Sequence, residues 1–184
     1  RAGMLVVIRQ GSSEQNLREL LPIVNERTAG RCAFGTDDRD CHDLIHQGHM
    51  DETLRLAIAE GLDPLLAIRM ATWTPARHWR LPGIGAIAPG YEANLVLLDG
   101  FEPLTVAATY FQGELVAERG HCTVDLPLGD IPDELRQTMN LAPVMLRQLR
   151  LRPEDARMAI GIIPGQIVTR CVEVDPTIVD GLAV

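Results

Sequence analysis

The sequence has 184 residues, of which 46% are hydrophobic and 23% charged, and its formal net charge is −8. This length suits one ordinary domain or two small ones, and it is too short for a complete (β/α)8 barrel of roughly 200–250 residues. The acidic balance argues against nucleic acid as a partner, and no apolar run reaches the roughly 20 residues of a membrane span.

The first third of the chain predicts alternating strands and helices. A continuous apolar run at Met4–Ile8 is typical of a strand buried on both faces of a parallel sheet. Apolar residues then recur at helical spacing over residues 17–24, and Ser12 with Gln15 fits a capping box for that helix. A second short strand is predicted at Cys32–Gly35.

A polar loop, Thr36–His49, is expected after the second strand, and helices follow it. Asp51 is predicted to cap the first helix, and Asp63-Pro64 to open the next. Thr74-Pro75 repeats that signal before a short helical turn. This order of elements indicates successive units of an α/β fold, which we assign to residues 1–80.

The remaining residues predict β structure. Turn signals and strand-like runs indicate a small β domain over residues 81–122, with strands at Asn94–Asp99, Val106–Phe111 and Glu114–Ala117. We assign residues 123–184 to a linker and the start of a β-containing domain. It includes an amphipathic patch around Met139–Leu151 and a hairpin of Met158–Ile163 and Gln166–Val174 through Pro164-Gly165.

The chain ends and the cysteines give two further expectations. Residue 1 is Arg, and strand-like sequence lies close to both termini, so we expect a segment of a longer chain. The four cysteines are scattered without a C-x-x-C pair, which predicts reduced thiols in a soluble, cytoplasmic protein.

Polar residues after the two predicted strands are the candidates for chemistry. Asp37, Asp38 and Arg39 follow the second strand, and carboxyl ends of parallel strands meet at active sites. A carboxylate there can bind a divalent cation or accept a proton. An Asx-turn with a helix cap is the alternative, and these residues alone favour it. Arg9 and Ser12 follow the first strand and are candidate active-site residues for the same reason, although Ser12 can simply cap a helix.

Histidines cluster in the polar loop. His42 and His46 are four residues apart, but H-E-x-x-H is absent, and we interpret both as a solvated surface. His49 follows a glycine at the end of the loop, where a structural role and a site role are about equally supported.

An ordered series of motifs points to a family. It comprises Ile8–Ser12, Thr36–Arg39, Gly48–Asp51, Gly61–Pro64, Met70–Thr72, Gly85–Asn94 and Gly161–Gln166. Together these stretches resemble the adenine deaminase family of the amidohydrolase superfamily. They correspond to the middle-to-late part of a family member. The resemblance implies the last strands of an incomplete, metal-dependent (β/α)8 barrel and a small β-sandwich-like domain, with Met4–Ile8 as strand seven and Cys32–Gly35 as strand eight.

The resemblance also implies a mechanism. Asp37 matches the aspartate that ends strand eight, binds a metal and moves protons, and Asp38 and Arg39 match residues beside it that orient a purine. We assign Arg9, Ser12 and His49 to substrate binding as well. The implied cofactor is a divalent metal, Mn²⁺ or Fe²⁺ before Zn²⁺. The implied reaction is hydrolysis of adenine to hypoxanthine and ammonia in purine salvage.

Departures from the family pattern and alternatives remain. The family usually has Glu where this chain has Gln10, and His-Pro where it has Asp40-Cys41, which bears on substrate details. The alternatives are another cyclic-amide hydrolase or aminohydrolase of the superfamily, or a non-catalytic binding module with the same fold. The expected partners are a purine and either a second copy of the chain or the remainder of the same polypeptide, with no nucleic acid and no membrane. Because further ligands are expected upstream of Arg1, the segment alone should be inactive.

Overall fold

A computed structural model describes residues 3–127, 129–136, 138–145, 148–149, 151–164 and 166–183. The chain divides into two compact units, Arg1–Asp125 and Leu126–Val184. Each unit is described separately below.

A pair of parallel strands organises the first unit. Strand β1 (Val6–Arg9) lies beside β2 (Cys32–Gly35), with Val6 opposite Cys32 and Arg9 opposite Gly35. The side chain of Ile8 and three successive residues of β2 are buried, as expected for a parallel pair covered by helices. The prediction of two strands in this part of the chain is confirmed, but β1 begins at Val6 and includes Arg9. Val7 is exposed, so the expected burial of this strand on both faces is wrong.

Five helices belong to the described part of this unit, and all but the second, which has no buried residue, pack on the strand pair. They are α1 (Leu17–Leu20), α2 (Cys41–His46), α3 (Met50–Ala59), α4 (Pro64–Ala71) and α5 (Trp73–His78). Short 3-10 turns occur at Leu21–Ile23 and Ala29–Arg31. The core contains the fully buried Ile8, Ala57, Ala67 and Met70.

Several predicted helix boundaries are wrong. The helix expected over residues 17–24 is α-helical only to Leu20, because Pro22 lacks the N–H that a continuing α-helix needs. Asn16 rather than Ser12 precedes it, so the capping box is wrong. The loop expected at 36–49 contains α2, whose N-terminus is capped by the Asp40 side chain.

Of three further predicted caps, one is confirmed and two are wrong. Asp63 accepts a hydrogen bond from Leu66 N–H, and Pro64 begins α4 as predicted. Asp51 lies one residue inside α3 and does not precede it. Thr74 lies inside α5, where its buried hydroxyl donates to the Ala29 carbonyl at 3.4 Å and not to its own helix.

An antiparallel sheet completes the first unit. Its strands, in spatial order, are β3 (Leu95–Phe101), β4 (Leu104–Phe111), β5 (Glu114–Glu118) and β6 (His121–Cys122). The β3 strand continues through the Asp99-Gly100 turn signal, with a register shift next to it. This sheet confirms β structure in the region, while the sandwich-like arrangement and the boundary at residue 81 stay predictions.

The second unit contains a short helix and paired strands. These are α6 (Asp133–Arg136), β7 (Met158–Ile162), β8 (Thr169–Glu173), β9 (Ile178–Val179) and β10 (Leu182–Ala183). The antiparallel pairing of β7 with β8 confirms the predicted hairpin, although Gly165 of its turn lies outside the described residues. Residues 146, 147 and 150 of the expected amphipathic patch also lie outside them. Across the described part of the chain, no helix has the length and apolar content needed to cross a bilayer.

We expect Met70→Ala to destabilise the first unit by about 2–5 kcal/mol, because Met70 is fully buried in its core and alanine leaves a cavity. Urea unfolding followed by the fluorescence of Trp73 and Trp79, which lie in the same unit, measures this loss. Ile87→Ala is the matched control, since Ile87 is 91% exposed and its replacement should change little. Equal stability of the two variants would contradict the assigned core.

Candidate active site

The candidate residues lie where the two parallel strands end. Arg9 and Gly35 are the last paired residues of β1 and β2, and Gln10 N–H donates to the Gly35 carbonyl at 3.0 Å. The loops that follow, residues 10–16 and 36–40, therefore leave the same edge of the strand pair. Of the six residues predicted for the site, four lie on these loops: Ser12, Asp37, Asp38 and Arg39. Arg9 is the last residue of β1, and His49 directly precedes α3.

Asp37 forms an ion pair with Arg9. One Nη of the guanidinium contacts Asp37 Oδ2, and each side chain is about one-third exposed. Asp37 has a positive φ of 53°, a left-handed conformation that aspartate tolerates better than most residues. No other partner of this carboxylate is seen within the described residues, so its second oxygen is available to a ligand.

Asp38 instead joins the two loops. Its carboxylate accepts hydrogen bonds from Ser13 N–H at 2.9 Å, from the Ser13 hydroxyl and from Glu14 N–H. The Ser13 hydroxyl bond in particular lowers the pKa of Asp38 below its ordinary value. Glycine is required opposite it, since a Cβ at Gly11 would lie 1.7 Å from Asp38 Oδ1 and 3.0 Å from the Thr36 carbonyl.

Ser12 binds a partner that the sequence did not indicate. Its hydroxyl donates to Asp43 Oδ2 at 2.6 Å and accepts from Asp40 N–H at 3.0 Å. The bond from Ser12 lowers the pKa of Asp43. Ser12 thus ties the loop after β1 to the first turn of α2.

Arg39 is held by α3 and the segment before it. Its side chain is only 3% exposed and pairs with Glu52, and its Nε donates to the Gly48 carbonyl at 3.1 Å. These contacts of the Arg39 guanidinium attach the loop to α3, and the same loop carries Asp37. Glu52 was missed by the sequence analysis, because nothing in its local pattern distinguishes it from other acidic residues in a first helical turn.

His49 lies beside the end of β2. Its Nε2 is 3.0 Å from the Thr36 hydroxyl, and the residue is exposed. Next to it, burial tends to raise the pKa of Asp51, but hydrogen bonds from His49 N–H and Arg55 outweigh that effect, and the pKa is lowered. The structure therefore gathers every predicted residue at this edge, with Asp37 and His49 exposed and Arg39 buried.

The donors present fit a metal ion only in part. Asp37 offers one hard oxygen ligand, whereas a divalent ion takes at least about four. Among the described residues, the group with metal-like spacing is Asp40, His42 and Asp43, whose donor atoms lie within 4.8 Å of one another. Both aspartates of that group are already used, Asp40 in capping α2 and Asp43 in binding Ser12.

We expect the two loops to separate in acid. Asp38 and Asp43 have lowered pKa values in the folded chain, so the stability that they contribute is complete above the ordinary Asp pKa of about 3.9 and is lost as the pH falls through their folded values. Amide hydrogen exchange at Ser13 and Glu14 should therefore accelerate below about pH 4 beyond its intrinsic change. Asp38→Asn should remove most of this pH dependence, and an unchanged profile in that variant would contradict the role of Asp38.

Comparison with known proteins places this site in a family. The sequence profile of the amidohydrolase family matches residues 8–121, which include the end of β1, all of β2, the loops after both strands and the β3–β6 sheet up to His121. The chain belongs to the amidohydrolase family. Members of this family generally depend on divalent metal ions, which agrees with a carboxylate at the end of the second strand.

Curated relatives of this amidohydrolase chain are adenine deaminases. It is 44% identical over 169 residues to that of Dehalococcoides mccartyi strain 195, a match that covers 91% of this chain and 29% of the relative. It is 37% identical over 186 residues to that of Oleidesulfovibrio alaskensis, covering 100% of this chain and 32% of the relative. The chain thus spans less than one-third of the length of these relatives.

A solved structure supports the amidohydrolase fold. The β-aspartyl dipeptidase of Fervidobacterium islandicum AW-1, in complex with a β-Asp-Leu dipeptide, matches with a TM-score of 0.55 at 18% identity. The match covers 69% of this chain and 36% of that protein. At this identity the likeness concerns the fold and not the substrate.

Proposed function

We propose that this chain forms part of an enzyme that hydrolyses adenine to hypoxanthine and ammonia. The observation that carries the proposal is the Asp37 carboxylate, which lies two residues beyond the end of β2, is partly exposed and has an oxygen free for a ligand among the described residues. The identity of 44% to an adenine deaminase over most of the chain supports adenine as the substrate.

The reaction needs a group that accepts and then returns a proton. Water adds to C6 of the purine, the exocyclic amine leaves as ammonia, and a proton passes from the water oxygen to that nitrogen. A divalent ion supplies the Lewis acidity that makes water a source of hydroxide near neutral pH, and we propose Mn²⁺ or Fe²⁺. The Asp37 carboxylate suits the proton transfer, because it lies just beyond the strand end and only one of its oxygens is paired among the described residues.

The neighbouring residues have separate roles in this proposal. Arg9 holds the Asp37 carboxylate at the strand end and can compensate its charge. Asp38, Ser12 and Arg39 use their polar atoms to connect the loops, so we assign them to positioning the site. His49 has an exposed ring at the same edge and is the residue that we assign to purine contact.

The setting that we propose is purine salvage in the cytoplasm. The four cysteines are all free thiols, which suits a reducing compartment. A second copy of the chain or the remainder of the same polypeptide is the proposed macromolecular partner, because Asp37 provides a single ligand where a divalent ion needs several.

A hybrid enzyme tests this function. In the adenine deaminase of D. mccartyi strain 195, the region matched over 169 residues is replaced by this chain, and three reactions are measured: ammonia release from adenine, ring opening of dihydroorotate and aspartate release from a β-aspartyl dipeptide. We expect turnover of adenine alone. A folded, metal-loaded hybrid that acts on another of these substrates and not on adenine would overturn the proposal.

A further inference from the structure

A basic cavity lies at the opposite edge of the strand pair from Asp37. It has a volume of about 500 Å³ and is bounded by residues that precede both strands, Leu5 before β1 and Arg31 before β2, and by the α4–α5 segment. This volume is in the range of sites for small organic ligands. The four-residue strand β1 separates the two edges by roughly 13 Å.

The cavity collects positive charge in an acidic chain. Its described lining residues include Arg27, Arg31, Arg69, Arg77 and His78 and no aspartate or glutamate, although the chain as a whole carries a net charge of −8. Four guanidinium groups around one space repel one another unless an anion lies between them. The concentration of arginine here is therefore a local feature and not a consequence of overall composition.

Most of these guanidinium groups have no protein acceptor among the described residues. Arg31 donates from Nη1 to the Gly3 carbonyl at 2.9 Å. For Arg27, Arg69 and Arg77, the part of the chain that the structure describes offers no side-chain hydrogen bond or ion pair, in contrast to Arg9, Arg39 and Arg55 elsewhere in the same unit. The three exposed guanidinium groups are thus available to a ligand.

We propose that this cavity binds a small ligand bearing at least two negative charges on phosphate groups. A guanidinium presents paired N–H donors whose spacing matches two phosphate oxygens, and several of them can share one multivalent anion. The space exceeds that needed by a single ion, and the Trp73 ring on its wall suits a ligand with an organic portion. The ligand class is therefore a phosphorylated metabolite or a diphosphate.

Calorimetric titration of the 184-residue chain with inorganic pyrophosphate tests the site, at ionic strength held constant with chloride. We expect saturable binding, weakened about tenfold or more in Arg69→Gln and in Arg77→Gln, since a charge-assisted hydrogen bond is lost in each. Citrate, a multivalent carboxylate, should bind at least about tenfold more weakly, because its three charges lie on separate branches of a carbon skeleton and not on two adjacent phosphate groups.

The control is Arg18→Gln, which removes the same charge from an exposed arginine of α1 that pairs with Glu60 outside the cavity. It should bind pyrophosphate like the unmodified chain, and circular dichroism should show that all variants keep their fold. The proposal is overturned by absence of saturable binding, by equal binding of citrate, or by equal weakening in Arg18→Gln and the cavity variants.

Discussion

Replacing Asp37 with asparagine in the hybrid enzyme should lower adenine turnover by about 10³- to 10⁴-fold. The amide keeps the shape of the side chain but removes its charge and its capacity to accept and return a proton. It also weakens the side chain as a metal ligand. The loss should appear in kcat, because the group acts on the reacting atoms and not only on binding.

The matched control is Asp99→Asn, at an exposed aspartate of β3 whose contact with Arg119 is 3.5 Å long. This variant should retain normal turnover. Because Asp37 lies in an exposed loop position, Asp37→Asn should unfold at the same urea concentration as the hybrid without it. Near-normal turnover of Asp37→Asn would show that another group moves the proton.

The second large effect concerns the 184-residue chain by itself, which should show no measurable adenine turnover at any divalent metal concentration. Asp37 provides one carboxylate ligand, and the described residues beside it provide no further histidine or acidic ligand in a group with it. The chain covers 29% of the D. mccartyi relative, in which the matched region is one part of a longer enzyme. We therefore expect only weak metal binding as well.

Ammonia release from adenine, with Mn²⁺, Fe²⁺ or Zn²⁺ added in turn, measures this expectation directly. The hybrid enzyme under the same conditions is the positive control. Turnover by the chain alone that disappears in Asp37→Asn would mean that its own residues complete the centre, which our account excludes.

Local patterns predicted much of the fold. The apolar runs identified β1 and β2 and their parallel arrangement, but burial on both faces holds only for β2, since Val7 of β1 is exposed. Asp63-Pro64 identified the start of α4, since both the cap and the proline act within one helical turn. The β7–β8 hairpin also followed from strand-like runs around a turn.

Boundaries set by distant contacts were not predictable in this way. Ser12 and Gln15 have the spacing of a capping box, but the Ser12 hydroxyl binds Asp43, which is 31 residues away in the sequence. The α2 helix could have been predicted, because Asp40 and Asp43 stand at the spacing of a cap and the third helical position.

In the candidate site, too, local patterns predicted some residues, while distant contacts determine others. The strand-end argument gathered Asp37, Arg9 and His49 at one edge, since parallel strands bring their carboxyl ends together. The buried ion pair of Arg39 with Glu52 could not be predicted, because it depends on how α3 packs beside the loop and not on spacing along the chain.

The central claim is that the Asp37 carboxylate belongs to a metal-dependent catalytic centre. Anomalous X-ray scattering from crystals of the hybrid grown with Mn²⁺ tests it most directly. We predict a manganese peak in contact with the Asp37 carboxylate. Manganese bound elsewhere, for example at Asp40, His42 and Asp43, with Asp37 still paired only with Arg9, would contradict the account.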